Sequence, residues 1–176
     1  RANVNLPIGI AVDGFTIIGG NASASTNITV NGNPIIRNRG GGIYTAGGTN
    51  TLTNNTLSRN SANNYGGGIY TQNGTNTLFN NHIAHNSAGY GGGVCFLLGI
   101  NTLNNNTIIT NKGVLGGGLY TQSGESTVFN NTFAANSGGG LNINNSTNTL
   151  IISNTIYDNT ISSNLGTLAP KNNNAQ

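Results

Sequence analysis

Only three carboxylates occur in this 176-residue chain, Asp13, Glu125 and Asp158, and they are the first candidates for chemistry. Glycoside hydrolysis needs two acids held roughly 5–10 Å apart. These three fall in well-separated stretches of sequence, so no such pair is expected. His82 and His85 offer nitrogen ligands of the kind zinc takes. Three residues apart on an extended strand they face opposite ways, and the equivalent neighbours offer nothing better than Arg59 and Thr110. Surface polar positions are the simpler reading. Cys95 stands alone, which excludes an internal disulfide. It is either an inert thiol or a bridge between two chains. Neither a catalytic centre, a metal nor a cofactor is expected.

The composition narrows the classes further. The chain holds 36 Asn, 28 Gly and 22 Thr, while 5 % of its residues are charged. Soluble domains average about a quarter charged residues. Six dispersed Lys and Arg with a net charge of +3 are too few for a nucleic-acid surface. No apolar run approaches the ~18–20 residues of a membrane span, so no membrane insertion is expected. Asn-rich polar sequence can be disordered or prion-like. Periodicity separates these readings, because a low-complexity tract has none.

The period is plain. Triple glycines begin at Gly40, Gly66, Gly91, Gly116 and Gly138, in steps of 26, 25, 25 and 22. After each comes a short β-type segment: Ile43-Tyr44-Thr45, Ile69-Tyr70-Thr71, Val94-Cys95-Phe96, Leu119-Tyr120-Thr121 and Leu141-Asn142-Ile143. A second apolar column runs through Leu52, Leu78, Leu103, Val128 and Leu150, and a third through Leu57, Ile83, Ile108, Phe133 and Ile156. Each unit closes on an asparagine, at Asn60, Asn86, Asn111, Asn136 and Asn159. A repeat of this length with three strands and no helical stripe is one coil of an all-β parallel β-helix. Strand-to-parallel-strand crossovers are overwhelmingly right-handed, and so a right-handed single-stranded β-solenoid of about 25 residues per coil is expected.

Stacked coils turn columns into ladders. The second and third columns are expected to form two inward aliphatic rows. Leu52 to Leu57 is an odd step, so a bend must intervene, at Asn54-Asn55 and its equivalents. Asparagine tolerates left-handed backbone angles and serves turns well. Its amide can also bond the coils above and below, which makes Asn55, Asn81, Asn106 and Asn131 structural ladder residues beside the closing asparagines. Tyr44, Tyr70 and Tyr120 share a column with Cys95 and are expected to form an outward aromatic ladder.

The expected organisation is one domain over residues 1–168, with regular coils over 40–161 and a tail or linker over 169–176. The first coils are irregular. Residues 12–21 read as the third strand and turn of an earlier coil, and 22–39 as an excursion or extra hairpin.

Phe133-Ala134-Ala135-Asn136 followed by Gly138-Gly139-Gly140-Leu141 resembles the F-x-x-N and G-G-A-[ILV] repeats of the polymorphic outer membrane protein family. Ile83-Ala84-His85-Asn86 with Gly91-Gly92-Gly93-Val94 fits with Ile for Phe, and 57–69 and 108–119 fit likewise. Residues 12–21 are similar to coils of large bacterial secreted β-helix proteins. The resemblance covers about residues 10–160 and implies a right-handed β-helix displayed outside a cell as an adhesive passenger or stalk. Glycine stands where the family has alanine, and no autotransporter barrel follows.

Two surface features remain. Phe96, Leu97, Leu98 and Ile100 replace the polar residues of the preceding coil and form a candidate contact patch. Thr49/Thr51, Thr75/Thr77 and Thr147/Thr149 form a Thr-x-Thr file of the kind that orders water. The expected function is a non-catalytic, secreted or cell-surface structural solenoid: a filament subunit, stalk or adhesin shaft. The alternative is a ligand-binding rod for ice or glycan and, behind it, a polysaccharide lyase or hydrolase. With Arg1 first and no Met or signal peptide, the chain reads as a mature subunit or a piece of a longer solenoid. The expected partner is a second copy joined end to end, through Ala2–Leu6 or the segment from Thr167, or further coils of the same protein. A glycan or cell-surface partner is also admitted.

Overall fold

A computed structural model of the chain describes residues 9–30 and 33–160. The segments expected to join copies end to end, and the tail over 169–176, lie outside the described residues. No helix occurs among the described residues.

The strands assemble into three long parallel sheets, one per side of each coil. The first sheet stacks Ile43–Ala46, Ile69–Gln72, Val94–Leu97, Leu119–Gln122 and Leu141–Asn144. The second stacks six strands: Ala11–Asp13, Thr49–Thr53, Thr75–Phe79, Ile100–Asn104, Glu125–Phe129 and Leu150–Ile152. The third also has six: Thr16–Ile18, Thr56–Ser58, His82–Ala84, Thr107–Ile109, Thr132–Ala134 and Thr155–Tyr157. At ~4.8 Å per step, six levels make a stack about 24 Å tall between its outermost strands.

The corners follow from side-chain type. Asn54, Asn80, Asn105 and Asn130 take φ of 54° to 58° between the second and third sheets. That is the left-handed region asparagine visits at least cost. The bend after the third sheet uses Arg59, His85, Thr110, Ala135 and Asp158, all at φ of 52° to 58°. The triple glycines carry the chain from that bend into the first sheet, and Gly47, Asn73, Leu98 and Ser123, all at positive φ, make the corner between the first and second sheets. Gly66 has φ 65°, and a Cβ on Gly67 would run into the backbone oxygens of Ser87 and Gly92.

The core is one side chain deep. Leu52, Leu78, Leu103 and Val128 form one buried row, and Leu57, Ile83, Ile108 and Phe133 another. The first sheet adds Ile43, Ile69, Val94 and Leu119, with Phe96 packed among them.

Four expectations are corrected. Leu150 does not continue the inward row: it pairs with Thr127 and is exposed, while Ile151 pairs with Val128 and packs on the core. The corner before it is one residue longer than its counterparts, since five residues lie between Asn144 and Leu150 where four lie between their partners Gln122 and Thr127. The same slip takes Thr147 and Thr149 out of the threonine file. Residues 12–21 hold the end of a second-sheet strand as well as a third-sheet strand, because Val12 pairs with Leu52 and Ile17 with Leu57. Finally, Tyr44, Tyr70, Cys95 and Tyr120 point away from the main core yet are buried, because Tyr65, Tyr90 and Leu115 fold back over them.

The excursion contains an antiparallel hairpin, Ile28–Val30 against Asn33–Ile35. It is narrower than 22–39, since Ala22 pairs with Ala62 before it and Arg39 bridges to Tyr65 after it.

Candidate functional site

The groups able to do acid–base or metal chemistry stay dispersed. Asp13 closes the first strand of the second sheet, Glu125 opens the fifth, and Asp158 lies in the bend after the third sheet. Asp13 Oδ1 accepts hydrogen bonds from Asn54 Nδ2 and Thr53 Oγ1, each at 2.8 Å. These bonds, the asparagine's foremost, hold its carboxyl below the usual range. Glu125 Oε1 accepts from Asn148 Nδ2 at 3.1 Å. His82 lies in a strand between Thr56 and Thr107, while His85 sits at the bend with Nδ1 3.1 Å from Thr110 Oγ1. Both are exposed. Among the described residues, no three His, Cys, Asp or Glu side chains gather as a metal site.

What the fold does assemble is amide. Asn55, Asn81, Asn106, Asn131 and Asn154 form one ladder inside the bend between second and third sheets. Asn60, Asn86, Asn111, Asn136 and Asn159 form a second inside the next bend. The bonding is reciprocal. Asn81 Oδ1 accepts from both the backbone N–H and the Nδ2 of Asn55, at 2.9 and 3.1 Å. Asn81 Nδ2 then donates forward to Asn106 Oδ1 at 2.9 Å and back to the Leu52 carbonyl at 2.8 Å. Both amide hydrogens and both oxygen lone pairs are therefore used, which is the condition for burying a polar group cheaply.

A third buried ladder, Asn50–Asn76–Asn101, was not among the residues singled out from sequence. Its amides also donate to corner carbonyls of Gly47, Asn73 and Leu98. The recurring Asn-Thr-Leu of 50–52, 76–78 and 101–103 carried that signal. The ladder stops where Ser126 replaces asparagine, and the Ser126 hydroxyl has no partner. Outside, Asp13 heads an exposed file running through Asn54, Asn80 and Asn105.

The aromatic cluster is tied together by a cation. Arg39 donates to the Tyr70 hydroxyl at 2.8 Å and lies 5.1 and 5.4 Å from the Tyr65 and Tyr70 ring centres. Tyr65 and Tyr90 stack at 5.0 Å. Burial pushes the Tyr70 hydroxyl and the Cys95 thiol well above their ordinary ranges. With Cys95 wholly covered, a bridge to a second chain would require this cluster to open.

The candidate contact patch divides. Phe96 is buried in the core and Leu97 packs against the tyrosine cluster, whereas Leu98 and Ile100 are exposed. They fold inward or stay outside according to strand alternation. Ile100 belongs to the outer face of the second sheet, which carries three columns. Thr49, Thr75, Ile100 and Glu125 form the first, and Thr51, Thr77, Thr102 and Thr127 the second, which Leu150 extends. The third holds Thr53, Phe79, Asn104, Phe129 and Ile152. Only the middle column is continuous threonine, and exposed Phe79 rises beside it.

A family model described as the right-handed beta helix region matches residues 13–174, so the chain belongs to that family. No curated protein and no solved structure matches it.

Proposed function

We propose that this member of the right-handed β-helix family is a non-catalytic structural rod on the outside of a cell, used as a filament subunit, stalk or adhesin shaft. The observation that carries the reading is the pair of asparagine ladders, each joining five consecutive levels through four side-chain links. Tension along the rod is shared between inter-coil sheet bonds and these side-chain bonds at every level. The faces, by contrast, carry mostly threonine and asparagine with a few exposed apolar side chains such as Phe79 and Ile100, and the three carboxylates sit on separate strands and bends.

The likeness to polymorphic outer membrane protein repeats gains a physical sense in this chain. Phe133 fills the core and Asn136 occupies the ladder, three residues later across the Ala135 bend. The reading therefore extends to surface display as an adhesive shaft, with further coils or a second copy stacked on the ends and a glycan or another cell-surface molecule as the partner.

Surface exposure is the test. Intact cells that make the protein are treated with an impermeant protease or labelled with antibody without permeabilisation. Labelling of intact cells and rod-shaped projections by electron microscopy are expected. Protein protected until lysis refutes the surface role, and turnover of a polysaccharide lost on replacing Asp13, Glu125 and Asp158 by their amides refutes the non-catalytic one.

A further inference from the structure

At the two levels flanking its centre, the outer face of the second sheet is palindromic along the rod in two of its three columns. Its centre is the level of Ile100, Thr102 and Asn104. One level below lie Thr75, Thr77 and Phe79, and one level above Glu125, Thr127 and Phe129. In the third column the order is therefore Phe–Asn–Phe, and in the second Thr–Thr–Thr. The large apolar groups are at the surface: Ile100 is 54 % and Phe79 40 % exposed, with Phe129 half-buried. Leu98 extends the patch at the corner before Ile100.

We propose that this face docks against the same face of a second copy, the two rods lying side by side and antiparallel. The two-fold axis runs along the strand direction through the Thr102 level. That operation keeps each column on itself and inverts the levels. Phe79 then meets Phe129 of the second copy, and Phe129 meets its Phe79. Asn104, Thr102 and Ile100 each meet their own counterparts. Glu125 faces Thr75 rather than another carboxylate, and two levels out Leu150 faces Thr51 and Ile152 faces Thr53. The parallel alternative would set the first column against the third and leave both Phe79 side chains against Thr75.

Three physical points favour this occupant. Another copy is commensurate with the ~4.8 Å level spacing by construction, so every level is in register at once. Isologous contacts close on themselves and give a dimer instead of an open fibre. Flat sheets pack face to face at about 10 Å with aligned strands, interdigitating alternate side chains. The patch spans four steps and three columns, a planar footprint of roughly 300 Å². A standard interface takes about 800 Å² from each partner. The dimer is accordingly weak and reversible.

Sedimentation across a series from low micromolar to millimolar tests the proposal, with circular dichroism confirming that each variant is folded. The parent chain is expected to pass reversibly from monomer to dimer. Ile100→Glu sets two carboxylates together on the axis and should weaken association by at least about tenfold. Ile100→Lys should do the same alone, yet mixing the two variants should restore a heterodimer. Thr75→Lys should tighten the dimer, because each lysine then faces Glu125 of the other copy. A parent monomeric throughout, a dimer indifferent to Ile100→Glu, or a mixture that stays monomeric overturns the proposal. So does a face that retains an immobilised extended glycan in a Phe79-dependent way without self-association.

Discussion

Replacing Asn106 by alanine removes one rung from the middle of a buried ladder. The Asn106 oxygen accepts the Asn81 backbone N–H and Nδ2, both at 2.9 Å. Its Nδ2 donates to the Leu78 carbonyl at 2.9 Å, the Asn104 carbonyl at 3.0 Å and Asn131 Oδ1 at 3.0 Å. Asn81 Nδ2 keeps its bond to the Leu52 carbonyl, and Asn131 Oδ1 keeps the Asn106 backbone N–H. The Asn81 N–H is left buried without that acceptor, at about 1–3 kcal/mol, and the lost bond to Leu78 adds about 1 kcal/mol. The emptied amide volume costs about 1 kcal/mol more. The sum, about 3–5 kcal/mol, is a large part of the ~5–15 kcal/mol that stabilises ordinary domains. Asn106→Asp sharpens the test, because it keeps the accepting oxygen but points a second one at the Leu78 carbonyl and Asn131 Oδ1. Burial would raise the introduced carboxyl above its ordinary ~3.9. An acid raised in the folded state is least harmful when protonated, so the deficit should grow as pH rises past ~4. Asn105→Gly is the control. Asn105 is exposed, its side-chain bond to Asn80 is a long 3.4 Å, and glycine tolerates its φ of 58°. Urea unfolding followed by far-ultraviolet circular dichroism measures all three. An Asn106→Ala variant within about 1 kcal/mol of the parent, or no worse than Asn105→Gly, would falsify the ladder energetics.

Three further outcomes follow from the ladders and the aromatic cluster. Ser126→Asn should extend the Asn50–Asn76–Asn101 ladder by a rung, giving Asn101 Nδ2 an amide acceptor in place of its 3.3 Å contact with the Glu125 carbonyl. A gain of about 1 kcal/mol, some 2–4 °C in Tm for a chain of this size, is expected by calorimetry, and a lowered Tm would show that the site lacks room. In the aromatic cluster, Cys95 should resist alkylation at mildly alkaline pH until the protein unfolds. The unfolded Tyr70 hydroxyl ionises near 10 while the folded one, raised by burial, does not, so stability should fall as pH climbs past ~10. A flat alkaline profile in urea titrations contradicts that burial.

Most of the solenoid was legible because its columns are local spacings repeated in sequence. Gly40, Gly66, Gly91 and Gly116, with Leu57, Ile83 and Ile108, set the coil length, and the odd step from Leu52 to Leu57 forced the bend. Four things were not legible, each for a different reason. Leu150 occupies the column position by counting, but the longer corner after Asn144 shifts the strand by one residue and turns it outward. The tyrosine column faces away from the main core, as alternation requires. Its burial depends on Tyr65 and Tyr90, whose loop geometry no period encodes. Asn50, Asn76 and Asn101 sit between threonines in a strand that reads as surface, although alternation with exposed Thr49 and inward Leu52 places them at the interior corner. The outer-face palindrome needed exact register, since Phe79 and Phe129 become symmetric about Asn104 only once all strands are aligned.

The composition that looked anomalous follows from stacking. A side chain repeated at ~4.8 Å along a rod meets its own kind above and below. Like charges at that distance repel, and a buried one has no solvent to screen it. Hydrophobic groups stack well, but they cannot satisfy the carbonyls that each bend leaves behind. An amide is neutral, donates and accepts in one plane, and so bonds its own copy in both directions. Asparagine also has the short reach that lets Nδ2 fold back to carbonyls such as Leu52, Leu57 and Leu78. The scarcity of acids and bases is thus a condition of the ladders, and it reaches the surface as well. Exposed columns repeat threonine and asparagine, and where charge does appear it is broken up: Arg59, His85, Thr110, Ala135 and Asp158 share one bend column without two acids in succession. A chain that must repeat itself every coil is driven toward neutral, self-complementary side chains. The same physics leaves a face such as the Phe79–Phe129 column ready to meet itself.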